Sequence, residues 1–215
     1  MKFNLLVVSS IAGLVAAAPT AVVKRQSFTT SNQLSGPCRP ITLVFARGTG
    51  EPGNIGDIIG PELEAGLASH YGASNLATQG VNYAASLTGN FDAGGCDPNG
   101  IATMEADLKQ AASQCPNTKI VAGGYSQGAA CLHGAFRALD AGTLNRIVGA
   151  VTFGDTRKAQ DGGQIPNYPP SKTMIYCAPG DLVCDGTLLV SPAHLSYGIY
   201  AGPATIFLAG LIGNI

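Results

Sequence analysis

Between Lys119 and Leu139 a short apolar run, a serine bracketed by glycines and a helix-like run follow one another without a break. Gly124-Tyr125-Ser126-Gln127-Gly128 fits Gly-x-Ser-x-Gly, the pattern of a strand that turns sharply into a helix and lifts a serine hydroxyl into view. The glycines belong there because side chains beside the turn would collide with the crossing strand and helix. The spacing predicts a strand over Lys119 to Ala122 and a helix over Gln127 to Leu139. A glycine-rich loop without chemistry would read the same in isolation, so the rest of the chain has to decide.

Apolar periodicity predicts further strands at Ile41 to Ala46, Leu76 to Tyr83, Ile147 to Phe153 and Thr173 to Cys177. Helices are expected over Asp57 to Tyr71, Ile101 to Gln114 and Gly202 to Gly213, and a Gly/Asn/Asp-rich loop over Thr88 to Gly100. Strands alternate with helices throughout. That predicts one α/β domain, a central and mostly parallel sheet of five strands between two helical layers.

The first residues read as processing signals. A positive start, an apolar stretch from Leu5 to Val15 and three alanines predict a signal peptide over residues 1–18. The dibasic Lys24-Arg25 predicts a propeptide over 19–25, leaving a mature chain of 215 − 25 = 190 residues, 26–215. Without Lys2, Lys24 and Arg25 the basic residues fall from 12 to 9 against 13 acidic, a net charge near −4. No basic stripe exists, so nucleic acid is not an expected partner. No later apolar run is long and unbroken enough to insert stably in a membrane. Secretion and a monomer are expected. The six cysteines, all after residue 25, read as three disulfides in an oxidising compartment. Cys177 and Cys184, seven apart, are the natural local pair. No Cys/His spacing suits zinc.

A serine hydroxyl is a poor nucleophile without a base, and the base needs an orienting acid. In this architecture the order is Ser, acid, His. Of three histidines, His70 and His133 precede any usable acid and are expected to be structural or solvated. His194 alone stands late enough. Asp140, Asp155, Asp161, Asp181 and Asp185 lie between Ser126 and His194. Asp181 follows a strand inside the loop that a Cys177–Cys184 bridge would clip, which gives it a rigid perch. Asp155, after the strand Ile147 to Phe153, is the runner-up.

"VFARGTGEPGN", "GYSQG", "IPNYP", "CAPGDLVCDG" and "SPAHLSYG" together resemble the fungal cutinases, from about Cys38 to about Gly198. The resemblance implies a small, lidless α/β-hydrolase with a Ser-Asp-His triad, here Ser126, Asp181 and His194, and no metal or cofactor. It implies an oxyanion hole from the backbone N–H of Gln127 and from Thr49, where the family usually has serine, and a supporting asparagine at Asn90. It also implies the bridges Cys38–Cys115 and Cys177–Cys184. Cys96 and Cys131 depart from the simplest family pattern; they either pair with each other or remain two buried thiols.

Leu87, Leu188, Val190 and Leu195 cluster near the loops carrying these residues and form the expected rim for an apolar acyl chain or a polyester surface such as cutin. Leu189, alternating with its neighbours, is the one expected to point inward. The leading expectation is a secreted esterase of cutin and short-chain soluble esters. An acetylxylan esterase of the same family is the alternative within the class. A non-catalytic secreted binding protein is the alternative outside it.

Overall fold

A computed structural model of the chain describes residues 28–215. The expected signal peptide, the expected propeptide and the expected start of the mature chain at Gln26 lie outside the described residues.

Five strands form one sheet: β1 (Ile41–Ala46), β2 (Leu76–Gly80), β3 (Lys119–Tyr125), β4 (Ile147–Phe153) and β5 (Thr173–Tyr176). Their order is β2-β1-β3-β4-β5, and each neighbouring pair is parallel. Five α-helices accompany them: α1 (Gly60–Tyr71), α2 (Pro98–Gln114), α3 (Gln127–Ala138), α4 (Ala141–Arg146) and α5 (Ala201–Ile212). A parallel sheet needs cover on both faces, and the strand pattern supplies apolar residues to both. Ile41, Leu43 and Phe45 pack with Val121, Val151 and Leu63 of α1 and Leu208 of α5. Val44 and Ala46 point the other way, into a cluster with Ile120, Ala122, Met104 of α2 and Leu132 and Phe136 of α3. Period-two alternation in β1 thus feeds two cores at once.

The predicted elements return with shifted boundaries, among them β2, which ends at Gly80 and not Tyr83, and α1, which begins at Gly60 and not Asp57. Helix α4 has no counterpart among the predicted helices; it is a separate turn-and-a-half, capped by Asp140, whose Oδ1 accepts from Thr143 N at 2.9 Å. The loop over 88–100 is shorter than its composition suggested. Thr88–Phe91 is a 3-10 turn, and α2 starts at Pro98 because Asp97 caps it by accepting from Asn99 N. Strand β3 runs on through the two glycines to Tyr125, three residues past its apolar run.

All six cysteines pair: Cys38–Cys115, Cys96–Cys131 and Cys177–Cys184. The first joins residues 77 apart and on chain-entropy grounds contributes about 4 kcal/mol; the third, closing 7, contributes about 2 kcal/mol. The second ties the loop before α2 to α3.

The strand order reverses between β1 and β3, and open parallel sheets gather ligands at the carboxyl ends of strands beside such a reversal. Thr49 follows β1 there, and Ser126 follows β3.

Candidate active site

Ser126 is the one residue between β3 and α3, with φ 55° and ψ −121°. A non-glycine residue in that region costs about 1–3 kcal/mol and persists only when its surroundings enforce it. Here they do. Ser126 N donates to Phe153 O at 2.9 Å, and its own carbonyl receives Ala129 N at 2.9 Å. A Cβ on Gly124 would lie 2.4 Å from Gly128 O, and one on Gly128 would lie 2.1 Å from Ala46 O. Both glycines are therefore required by backbone-to-backbone approach, which is why the serine is flanked as it is.

Ser126 Oγ lies 3.0 Å from His194 Nε2, and His194 Nδ1 lies 2.9 Å from Asp181 Oδ2. A carboxylate only accepts, so Nδ1 carries the proton and Nε2 is left to accept from the serine. His194 sits in a 3-10 turn, Pro192–Leu195, and is 2% exposed; Asp181 is 3% exposed. Asp181 caps the following 3-10 turn, Leu182–Asp185, taking Val183 N on Oδ1 at 3.1 Å, inside the loop closed by Cys177–Cys184. Its other oxygen receives a second donor, Tyr197 OH at 2.6 Å, while that hydroxyl accepts from Ala178 N at 2.9 Å. Tyr125, next to the serine, stacks on the His194 ring at 5.2 Å and donates its hydroxyl to His194 O at 2.7 Å. Burial pushes the phenols of Tyr125 and Tyr197 well above the usual range, in both cases with help from the Asp181 charge. Both therefore stay protonated donors.

Sequence reasoning did not single out either tyrosine. The signal available was weak: Tyr197 is an ordinary aromatic three residues past His194. Removing its hydroxyl in Tyr197→Phe takes one donor from Asp181 and leaves Ala178 N–H buried and unpaired. We expect a loss of about 1–3 kcal/mol by urea denaturation and about a tenfold fall in kcat/KM against an ester such as p-nitrophenyl butyrate.

Thr49 Oγ1 receives two donors, Asn90 Nδ2 at 2.9 Å and Gln127 Nε2 at 3.1 Å. A hydroxyl oxygen has two lone pairs, so its own hydrogen is left to point elsewhere, and the cleft is the open direction. Gln127 is the first residue of α3, so its backbone N–H has no partner within the helix. Two donors thus border Ser126 where negative charge would develop. Their loop is stiff. Glu51 takes Gly48 N on Oε2 at 2.6 Å and Asp57 N and Ile58 N on Oε1 at 3.0 and 2.9 Å. Arg47 donates to Glu51 O and Tyr83 O. Burial raises the Glu51 pKa against the pull of those three backbone donors. Neither Glu51 nor Arg47 was singled out from the sequence.

The cleft over Ser126 measures about 290 Å³ and is lined by Leu87, Leu188, Val190 and Leu195, as well as Ile58 and Phe91. Leu189 departs from expectation. It does not line the cleft and is 64% exposed, because its segment has no strand geometry to impose alternation.

The other acids and histidines go elsewhere. Asp155, the runner-up, is fully buried and faces His133, with Oδ2 at 3.0 Å from Nε2. His133 Nδ1 meets Asp161 Oδ2 at 2.6 Å, and Arg137 and Arg157 pair with Asp161 from outside. Thr152 Oγ1 and Arg157 N complete the shell of Asp155. Burial opposes charge on His133, yet the hydrogen bonds and charges of Asp155 and Asp161 carry its pKa above the ordinary value. Burial likewise opposes charge on Asp155, and His133 holds its carboxyl below the usual range. His133 is structural, an imidazolium clamped between two carboxylates. Asp140 caps α4. His70 is at the end of α1, packed edge-on to Tyr71.

A family model described as Cutinase matches residues 37–211. A probable cutinase 3 of Aspergillus clavatus is 46% identical over 97% of this chain and 98% of its own length. The cutinase CUT2 of Pyricularia oryzae is 45% identical over 99% of this chain and the whole of its own. Among solved structures, a Trichoderma reesei cutinase in complex with a phosphonate inhibitor superposes with a TM-score of 0.79 at 36% identity, over 87% of this chain and 82% of that one. An acetylxylan esterase shares the fold, with a TM-score of 0.66 at 24% identity over 82% of this chain and 100% of its own.

Proposed function

The chain belongs to the cutinase family, and on that premise we propose that it is a secreted, monomeric serine esterase that hydrolyses cutin and short-chain esters at Ser126. The observation that carries the reading is the unbroken line from Ser126 Oγ through His194 to Asp181, with both links at 3.0 Å or less. Three disulfides among the described residues support an extracellular location. Among the same residues no helix is long and apolar enough to cross a membrane.

His194 takes the Ser126 proton as the hydroxyl attacks the ester carbonyl. Asp181 holds the ring and stabilises the imidazolium. Thr49 and the Gln127 backbone receive the oxyanion. His194 then protonates the departing alcohol, and afterwards activates water to release the acid. The exposed Leu87, Leu188, Val190 and Leu195 form a rim that meets an apolar acyl chain or the surface of a polyester. Loss of one oxyanion donor typically costs 10²–10³ in kcat. Thr49→Val is expected to fall by about that much with KM little changed, while Thr49→Ser retains activity.

The test is labelling of Ser126 by an alkyl phosphonate, followed by a substrate panel of p-nitrophenyl acetate and butyrate, a polyester film and acetylated xylan. Butyrate and polyester should be turned over best. Absence of labelling in the folded protein overturns the reading, and faster deacetylation of xylan than polyester hydrolysis moves the substrate to a polysaccharide.

A further inference from the structure

Beside the apolar cleft lies a second groove of about 210 Å³. It shares Asn90, Thr156 and Leu188 with the cleft, so the two adjoin as neighbouring parts of one surface. The lining of the second part is polar where the first is apolar. Asp92 stands on the loop after the 3-10 turn Thr88–Phe91, and Arg157 and Gln160 on the segment after β4.

Among the described residues, the exposed side chains of Asp92 and Gln160 make no hydrogen bond or ion pair. Asp92 and Arg157 line the same groove without forming an ion pair. Arg157 is only loosely engaged. Its Nη2 is 3.6 Å from Asp161 Oδ1, which Arg137 already holds closely, and its Nε has no acceptor. The backbone beneath is nonetheless fixed: Arg157 N donates to Asp155 Oδ1, and Thr156 Oγ1 donates to Ser126 O. The groove thus offers acceptors from a carboxylate and donors from a guanidinium and an amide, beside Thr156, whose hydroxyl is bonded to the Ser126 carbonyl.

We propose that this groove is a subsite for a neutral, hydroxylated arm of the ester substrate, recognised by Asp92, Arg157 and Gln160. An anion would meet Asp92 and a cation would meet Arg157, whereas a hydroxyl donates to the one and accepts from the other. A purely apolar chain would desolvate all three without replacing their hydrogen bonds. The proposal rests on the esterase reading and deepens it: the enzyme prefers esters that carry free hydroxyls near the scissile bond over equally apolar esters that lack them.

The hydroxylated arm can belong to the alcohol or to the acyl half, and two matched pairs separate the sources. The first pair is glyceryl monobutyrate against propyl butyrate. The second is methyl 3,4-dihydroxybutanoate against methyl butanoate. Each pair is assayed on the wild type, Asp92→Ala, Gln160→Ala and Arg157→Met. The expected result is that the wild type favours the hydroxylated member of at least one pair. That preference should fall about tenfold in the variants, with the unsubstituted member held within about twofold. The pair that responds identifies the half that occupies the groove. Unchanged preference in both pairs overturns the proposal, as does an equal loss on both members. Ser126→Ala is run beside them: hydrolysis surviving in that variant would sink the esterase reading itself, independently of the groove.

Discussion

Replacing Ser126 with alanine is expected to lower kcat on p-nitrophenyl butyrate by about 10⁶-fold, on the scale seen when a triad nucleophile is lost. The fold should survive. Alanine keeps a Cβ in the same strained backbone, whose conformation is enforced by the Phe153 carbonyl and by the contacts of Gly124 and Gly128, not by the hydroxyl. Thermal unfolding within a few degrees of the parent, together with activity at the level of buffer, is the combination to look for. The polar atoms lost are few: Ser126 Oγ gives its one protein hydrogen bond to His194. A residual rate of one part in ten or a hundred would mean that another group attacks the ester and that the geometry around position 126 has been misread.

His133→Ala is expected to cost about 3–5 kcal/mol, because it leaves Asp155 and Asp161 facing each other's field in a buried site without their shared cation. That is a large share of a typical domain stability. The pH dependence gives the prediction its signature. The raised pKa of His133 contributes stability that is complete below its ordinary 6.5 and is lost as the pH climbs through the folded value. The lowered pKa of Asp155 contributes stability that is complete above its ordinary 3.8 and is lost as the pH drops through the folded value. The gap between parent and variant should therefore be widest between about pH 4 and 6.5 and should narrow in alkali. Urea denaturation at pH 5, 7 and 9 measures it; a gap independent of pH would show that only packing was lost. His133→Leu with Asp155→Val should recover part of the deficit, since a matched apolar pair removes the uncompensated charge.

The two predictions mark how far the residues could be read in order. The elbow was legible because its requirements are local. An apolar run, two glycines and a helix lie within some twenty residues, and the collision Gly124 avoids is with Gly128, which the turn itself brings close; the one Gly128 avoids, with Ala46 of β1, is set by the sheet. The base was legible by counting, as His194 is the one histidine late enough in the chain. The hydroxyl of Thr49 and the loop around Glu51 were half-legible. The motif marked the stretch, but that Glu51 gathers three backbone N–H groups depends on how residues 48–58 fold back on it.

What the chain determined alone was periodicity and punctuation: which segments alternate for a sheet, which wrap as helices, and where glycine must stand. What only the tertiary structure decided was partnership. Asp155 and Asp181 each follow a strand, and linear order allowed either to serve His194. Adjacent strands β4 and β5 deliver them to different histidines, Asp155 beneath α3 to His133 and Asp181 above the sheet edge to His194. Local sequence carries information about torsion angles over a few residues, whereas the meeting of two side chains depends on the packing of whole layers.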